Sequence, residues 1–205
     1  MSVASFALGC LTSLALTGQA AVAPQQITQA DRDMAVRHLA ETRQKFLDSI
    51  DGLSQEQWAF KPGPDRWSIA EVAEHIAISE STILELITEK IMKAPAVPRD
   101  PTGPTDQRVI DMVTDRSEKA QAPEMLKPVN KWATRDALVG AFNTARERTV
   151  AYVKTSTDDM RGHSAPHPVM KMLDGYQWIL LLSGHTARHT AQIQEVKSAA
   201  GYPSR

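Results

Sequence analysis

Apolar side chains return at intervals of three and four along four long stretches of this chain, the spacing that gathers them on one face of an α-helix. In the first stretch Ala35, Leu39, Thr42, Phe46 and Ile50 form the stripe, with Arg37, Glu41, Arg43, Lys45 and Asp48 off it. That pattern predicts a helix over roughly Gln29 to Ile50, closed by Gly52. Ser54-Gln55-Glu56-Gln57 has the spacing of a capping box and predicts one short turn. Lys61-Pro62-Gly63-Pro64 follows, where two prolines and a glycine forbid a helix. Ser68 with Glu71 is a second capping box. It opens a helix to about Met92 whose core side is Ile69, Val72, Ala73, Ile76, Ile83 and Ile87, with His75 on the flank.

Residues 94 to 133 carry six of the twelve prolines and, at about 40 residues, are too long for a bundle's tight turn. They read as a crossover with a short helix around Thr105 to Ser117. Thr134 caps a third long helix to about Thr155, with Leu138, Ala141, Phe142, Ala145, Thr149, Tyr152 and Val153 inward. Asp158 to Leu173 reads as a loop, and Asp174-Gly175-Tyr176-Gln177 caps a last helix running to about Ala200, where Gly201 and Pro203 stop it. No strand pattern stands out. The expected fold class is therefore all-α: a four-helix bundle with a long crossover between the second and third long helices.

Two histidines, His185 and His189, lie four apart on the stripe Trp178, Leu181, Leu182, His185, His189, Ile193 and Val196 of the last helix. Side chains four apart on a helix point the same way, about 6 Å apart at Cβ, so both rings can reach one ion. With His75 from another helix, three imidazoles are enough to hold a divalent metal. A histidine on an apolar face is also commonly a hydrogen-bonded core residue, so spacing alone leaves both readings open.

The rest of the composition narrows the chemistry. The net charge is −1 and no basic block stands out, which removes the electrostatic footprint of a nucleic-acid binder. No charged side chain precedes Asp31, and the apolar run Phe6 to Leu16 followed by Ala21-Val22-Ala23 resembles a secretory signal peptide, residues 1–23, ahead of a domain spanning 24–205. The run is interrupted by Gly9, Thr12 and Ser13 and falls short of the roughly 20 apolar residues of a spanning helix, so no stable membrane anchor is expected. Export to the periplasm or the medium is the expectation; a lipoprotein anchored through Cys10, or a cytoplasmic chain with an N-terminal arm, are the alternatives. Cys10 is the only cysteine, so a processed chain has no thiol, and a metal site must use imidazole, carboxylate and water. Zinc or nickel suit such ligands best, with iron and manganese next.

Three stretches carry a family resemblance: Leu53-Ser54-Gln55-Glu56-Gln57-Trp58, Arg66 to Ile76 (RWSIAEVAEHI) and Gly184 to Ile193 (GHTARHTAQI). Ala145-Arg146-Glu147-Arg148-Thr149 and the closing Gly201-Tyr202-Pro203 are similar too. Together they resemble the DinB/YfiT-like metalloprotein superfamily over essentially the whole chain past the leader. The resemblance implies an up-down-down-up four-helix bundle and a three-histidine metal site mapping onto His75, His185 and His189. It fixes the site better than the reaction, since members include thiol S-transferases, a thiol-dependent isomerase and proteins described as hydrolases.

Three neutral imidazoles leave a coordination position open, and zinc lowers the pKa of water bound there to about 7. The same position could take a substrate thiol as thiolate. A metal-dependent hydrolase is the leading expectation because low-molecular-weight thiols are mainly cytoplasmic; a thiol S-transferase, or a non-catalytic stress-associated metal module, are the alternatives. Glu71, one turn before His75, and Gln192, three residues after His189, are candidates to accept a ring N–H. Arg188 is a candidate partner for an anionic substrate group, or else a salt bridge between helices. His163 and His167 fall among prolines and read as solvated loop, with the pocket mouth as the alternative. His38 reads as structural, and Trp58 and Trp67 as closing the core. The substrate is a small molecule of unspecified class, and association into a homodimer through an exposed helix face is open to such a bundle.

Overall fold

The computed structural model describes residues 26–97, 99–118 and 121–204, so the expected signal segment and Cys10 lie outside the described residues. Six α-helices form among the described residues: α1 (Gln29–Ile50), α2 (Gln55–Ala59), α3 (Ile69–Leu86), α4 (Asp106–Thr114), α5 (Arg135–Thr155) and α6 (Gly175–Lys197). Their starts sit where cap chemistry puts them. Thr28, Ser54, Ser68 and Asp174 each take the backbone N–H three residues on, and Asp31, Gln57, Glu71 and Gln177 return the bond, so four starts are reciprocal boxes. Thr105 and Thr134 cap α4 and α5 in the same one-way sense. Gly52 ends the first helix with φ 61°, a conformation that penalises any residue with a Cβ.

Named contacts give the topology. The Tyr176 hydroxyl donates to the Asp31 carbonyl at 2.8 Å, joining the starts of α1 and α6, so these two run parallel. Arg32 at the start of α1 donates to the carbonyl of Ser156, just past the end of α5, at 2.8 Å, so that pair is antiparallel. Ile83, Leu84 and Ile87 pack with Ile179 to Leu182, while Ile69 to Ala77 pack with Ile193 and Val196, which makes α3 antiparallel to α6. The order is up, down, down, up, with α1 beside α5 and α6, and α3 beside the same two. This is the expected four-helix bundle.

The core is divided. One apolar cluster gathers Leu39, Ile83, Leu84, Ile87, Val153 and Ile179 to Leu182; the other gathers Phe46, Ile69, Val72, Ile76, Phe142 and Ile193. Between them every long helix contributes buried polar groups at one level: Thr42, Ser79 and Glu80, Arg146 and Thr149, Ser183 and Thr186. This polar layer lies beside the histidines.

Four details differ from the sequence expectation, the first being that the crossover helix ends at Thr114 rather than near Ser117. The second long helix does not stay α-helical to Met92: from Ile87 to Ile91 it widens into a π-helical turn, which changes the backbone hydrogen-bond step without breaking the helix. The last helix stops at Lys197. The segment read as loop from Asp158 to Leu173 contains a hairpin, β1 (Ser164–His167) paired antiparallel with β2 (Lys171–Asp174). Strands of four residues are too short to display an alternating pattern, and Pro166 within β1 argues against a strand except at an edge. Lys171, with φ 61°, begins β2 after the reversal, and Asp174 both ends that strand and caps α6. No described helix is long and apolar enough to cross a membrane.

Candidate metal centre

Helix α3 carries His75 and helix α6 carries His185 and His189, and their antiparallel packing brings the three rings together. The Nε2 atom of His75 lies 3.2 Å from Nε2 of His185 and 3.2 Å from Nε2 of His189. Nitrogens bound tetrahedrally to one ion through bonds of about 2.0–2.1 Å stand about 3.3 Å apart, so this spacing matches a shared ion. His75 is only 2% exposed, despite its flanking place in the helical pattern, while His185 and His189 are partly exposed.

Hydrogen bonds on the far side of two rings decide where their protons sit. The Leu126 carbonyl lies 2.7 Å from Nδ1 of His75, and a carbonyl can only accept. Nδ1 of His75 therefore carries the proton and Nε2 offers its lone pair. The Gln192 side-chain oxygen does the same for Nδ1 of His189 at 2.7 Å. Two lone pairs then face one another across 3.2 Å. They repel unless a cation lies between them, so the donor set fits a divalent ion. Burial is the first cause that lowers the pKa of each ring; crowding by neighbouring imidazoles adds to it at His185 and His189. His185 is held well below its ordinary value and His189 at about 3, so the rings are neutral and free to coordinate at neutral pH.

The other sequence candidates have divided. Gln192 touches the cluster as described. Glu71 does not: its carboxylate accepts the Ser68 N–H at 2.8 Å and pairs with Lys61 at 2.7 Å, and the Leu126 carbonyl takes the place at His75 for which Glu71 was a candidate. Arg188 forms no ion pair among the described residues. It donates to backbone carbonyls after α4, that of Asp115 and, at 2.8 Å, that of Glu118. His167 ends β1 of the hairpin and His163 directly precedes that strand, its carbonyl accepting the Gly175 N–H at the start of α6. His185 is ten residues beyond Gly175, about 15 Å along the helix, which sets His163 away from the cluster; the His167 ring packs against Trp178, with centroids 5.5 Å apart. His38 bonds Ser183 within the polar layer. Trp58 is buried in the core, and Trp67 packs on the core edge with its ring centroid 5.1 Å from that of His75.

Sequence reasoning missed the crossover's part. Glu74, beside His75, accepts the N–H groups of Val129, Asn130 and Lys131 at 2.8, 3.1 and 2.9 Å. It also missed the buried pair Glu80 and Arg146, whose guanidinium reaches Thr186, the residue after His185, at 2.8 Å. A signal was present: Glu80 and Arg146 occupy inward positions of their helices, where a charged side chain needs a buried partner. Gly184, before His185, lets α4 approach, since a Cβ there would stand 2.2 Å from Cγ1 of Val113.

Comparison with known proteins bears on the fold and the family. YuaE of Bacillus subtilis strain 168, an uncharacterized protein, is 27% identical over 157 residues, covering 77% of this chain and 93% of YuaE. Among solved structures, YfiT from Bacillus subtilis, described as a probable metal-dependent hydrolase with an unusual four-helix bundle topology, superposes with a TM-score of 0.57 at 16% identity over 87% of this chain and 93% of YfiT. A structure assigned to the DinB family from Exiguobacterium sibiricum 255-15 superposes with a TM-score of 0.53 at 14% identity, covering 88% and 97% of the two chains. At such identities the superpositions speak for the fold alone. The family pattern itself spans residues 38–193, which include all three histidines of the cluster, and the chain belongs to the DinB superfamily.

Proposed function

We propose that this chain is an exported hydrolase dependent on a divalent metal, zinc or nickel, with His75, His185 and His189 as the ligands. The observation that carries the proposal is the convergence of three Nε2 atoms, two of them fixed as lone-pair donors by Leu126 and Gln192. When bound, a divalent ion supplies Lewis acidity that makes water a nucleophile at neutral pH. The chain's own residues do the rest. His75 is buried on α3, and the substrate is taken to approach from the α6 side, where His185 and His189 are half-buried residues. Burial keeps the imidazoles neutral, so protons do not compete for them near pH 7. YfiT, of the same fold, is itself described as a probable metal-dependent hydrolase, which supports this reading. Export is supported by the apolar, uncharged opening of the chain.

Elemental analysis of the purified protein, followed by ester, amide and phosphoester panels with and without a chelator, tests the reading. One ion per chain and turnover abolished in His185→Ala are the expected results. Full loading with no hydrolysis in any panel, while a thiol substrate is consumed, would move the chain to the S-transferases. Loading with no turnover of either kind would leave a metal module. N-terminal sequencing of protein recovered outside the cytoplasm tests export, and an intact Met1 would overturn that part.

A further inference from the structure

We propose that Glu74 is a positioning residue for His75. Its carboxylate holds the strap of residues 126–131 against α3, so that the Leu126 carbonyl keeps the proton on Nδ1 of His75 and the lone pair on Nε2. This inference rests on the reading of His75 as a metal ligand, and extends it to the residue that keeps the ligand in its coordinating form.

Glu74 and His75 are consecutive on α3, so their side chains leave the helix about 100° apart. One short piece of the crossover grips both. The Leu126 carbonyl sits 2.7 Å from Nδ1 of His75, and three residues on, the amides of Val129, Asn130 and Lys131 close on the Glu74 carboxylate. Glu74 is 5% exposed, and these three amides are the partners its oxygens accept from. Asn130 has φ 58°, the left-handed turn that lets successive N–H groups point toward one anion.

Burial holds the strap only in part: Leu126 and Pro128 are half-buried, and the next residue, Trp132, packs against the apolar core. Met125 is 72% exposed and Val129 68% exposed, and the 3₁₀ turn Glu124–Leu126 contains no buried residue. Among the described residues, the hydrogen bonds that join the strap to α3 are those to His75 and Glu74. Without the carboxylate the strap is free to lift, the carbonyl leaves Nδ1, and the proton can move to Nε2, where it blocks coordination. An outer hydrogen bond of this kind is commonly worth a factor of about 10 to 100 in metal affinity.

The test uses Glu74→Gln, which keeps the side chain's size but replaces one acceptor oxygen with an NH₂ donor facing the strap amides. A second variant, Lys131→Pro, loosens the strap from its own side, deleting one donor and following a left-handed residue that a proline disfavours. Thr28→Ala, which removes the α1 cap at the opposite end of the bundle, is the control for general loosening. Two quantities are read: the His75 tautomer in the metal-free protein, by long-range nitrogen–proton correlation of the imidazole, and zinc affinity by chelator competition.

The expected result is a single Nδ1–H tautomer in the parent, a mixture in both strap variants, and zinc affinity about 10 to 100 times lower, with the control unchanged. If both strap variants fold and keep the parent tautomer with affinity within about twofold, the proposal is overturned. It is equally overturned if Thr28→Ala shifts the tautomer as far. If the tautomer responds but the parent binds no zinc, nickel or other divalent ion, the positioning role stands and the metal reading fails.

Discussion

Arg146 and Glu80 form a buried ion pair at the level where all four long helices meet, each with 1% of its side chain exposed. Nη2 donates to one carboxylate oxygen at 2.8 Å and Nε lies 2.8 Å from the other. Nη1 donates to the Leu39 carbonyl and to Thr42 of α1, Nη2 also to Thr186 of α6, and Thr149 donates to Glu80. Burial pushes the Glu80 carboxyl up, and the guanidinium pulls it back. Removing one partner strands a charge, so Arg146→Ala and Glu80→Ala should each cost about 3–5 kcal/mol in chemical denaturation. The double replacement by apolar residues of similar volume should cost much less than the two added. Losses under about 1 kcal/mol for either single variant would show that the pair does not carry the layer.

Ser79 lies in the same layer, 1% exposed, and its hydroxyl has no partner among the described residues. Other buried helical hydroxyls are engaged: those of Thr42, Ser49, Thr149 and Thr190 bond carbonyls of their own helices. An unpaired buried hydroxyl costs about 1–3 kcal/mol, so Ser79→Ala should leave the metal-free protein as stable as the parent or more stable. A loss of more than about 1 kcal/mol in urea titration would mean that Ser79 has a partner in solution.

Gln192 accepts the proton-bearing Nδ1 of His189. Gln192→Leu removes that acceptor at similar volume and should lower zinc affinity by a factor of about 10 to 100 while leaving helix content unchanged. Titration against a competing chelator gives the number. Unchanged affinity would show that the bond is incidental to the ligand.

The three imidazoles also set a pH dependence in the metal-free protein. Their folded pKa values are lowered, His189 to about 3, whereas in the unfolded chain each titrates near about 6.5. As pH falls below that value the unfolded chain takes up protons that the folded one refuses. Stability is therefore full above about pH 6.5 and declines as pH falls toward 3. The urea midpoint should drop steadily from pH 7 to pH 5, and replacing the three histidines with glutamine should flatten that slope. A parent profile already flat over this interval would contradict the burial of the cluster.

Much of this architecture was legible in the chain. Stripes of three and four spacing located α1, α3, α5 and α6, and cap residues at Ser54, Ser68, Thr134 and Asp174 marked four helix starts, because both signals are local and depend only on side chains within one or two turns; the Thr28–Asp31 box of α1 came from the structure. The hairpin at Ser164–Asp174 was not legible, since two strands of four residues pair through backbone groups that composition does not reveal. The pairing of His185 with His189 followed from one helix's geometry. His75 could be joined to them only through the family resemblance, because nothing local relates residue 75 to residue 185.

By itself the sequence determined the long helices, most of their caps, the inward placement of two histidines and a bundle fold, all consequences of short-range signals. The tertiary structure alone decided which groups became the neighbours of those histidines. Leu126 reaches His75 by a backbone carbonyl, which every residue type owns and no sequence pattern marks. Glu71, one turn from His75, turned instead to its own helix start and to Lys61, because a nearby cap and a lysine satisfy a carboxylate before a ring does. Side-chain type names what a residue is able to bind; only the packing of α3, α6 and the crossover against one another selects the partner.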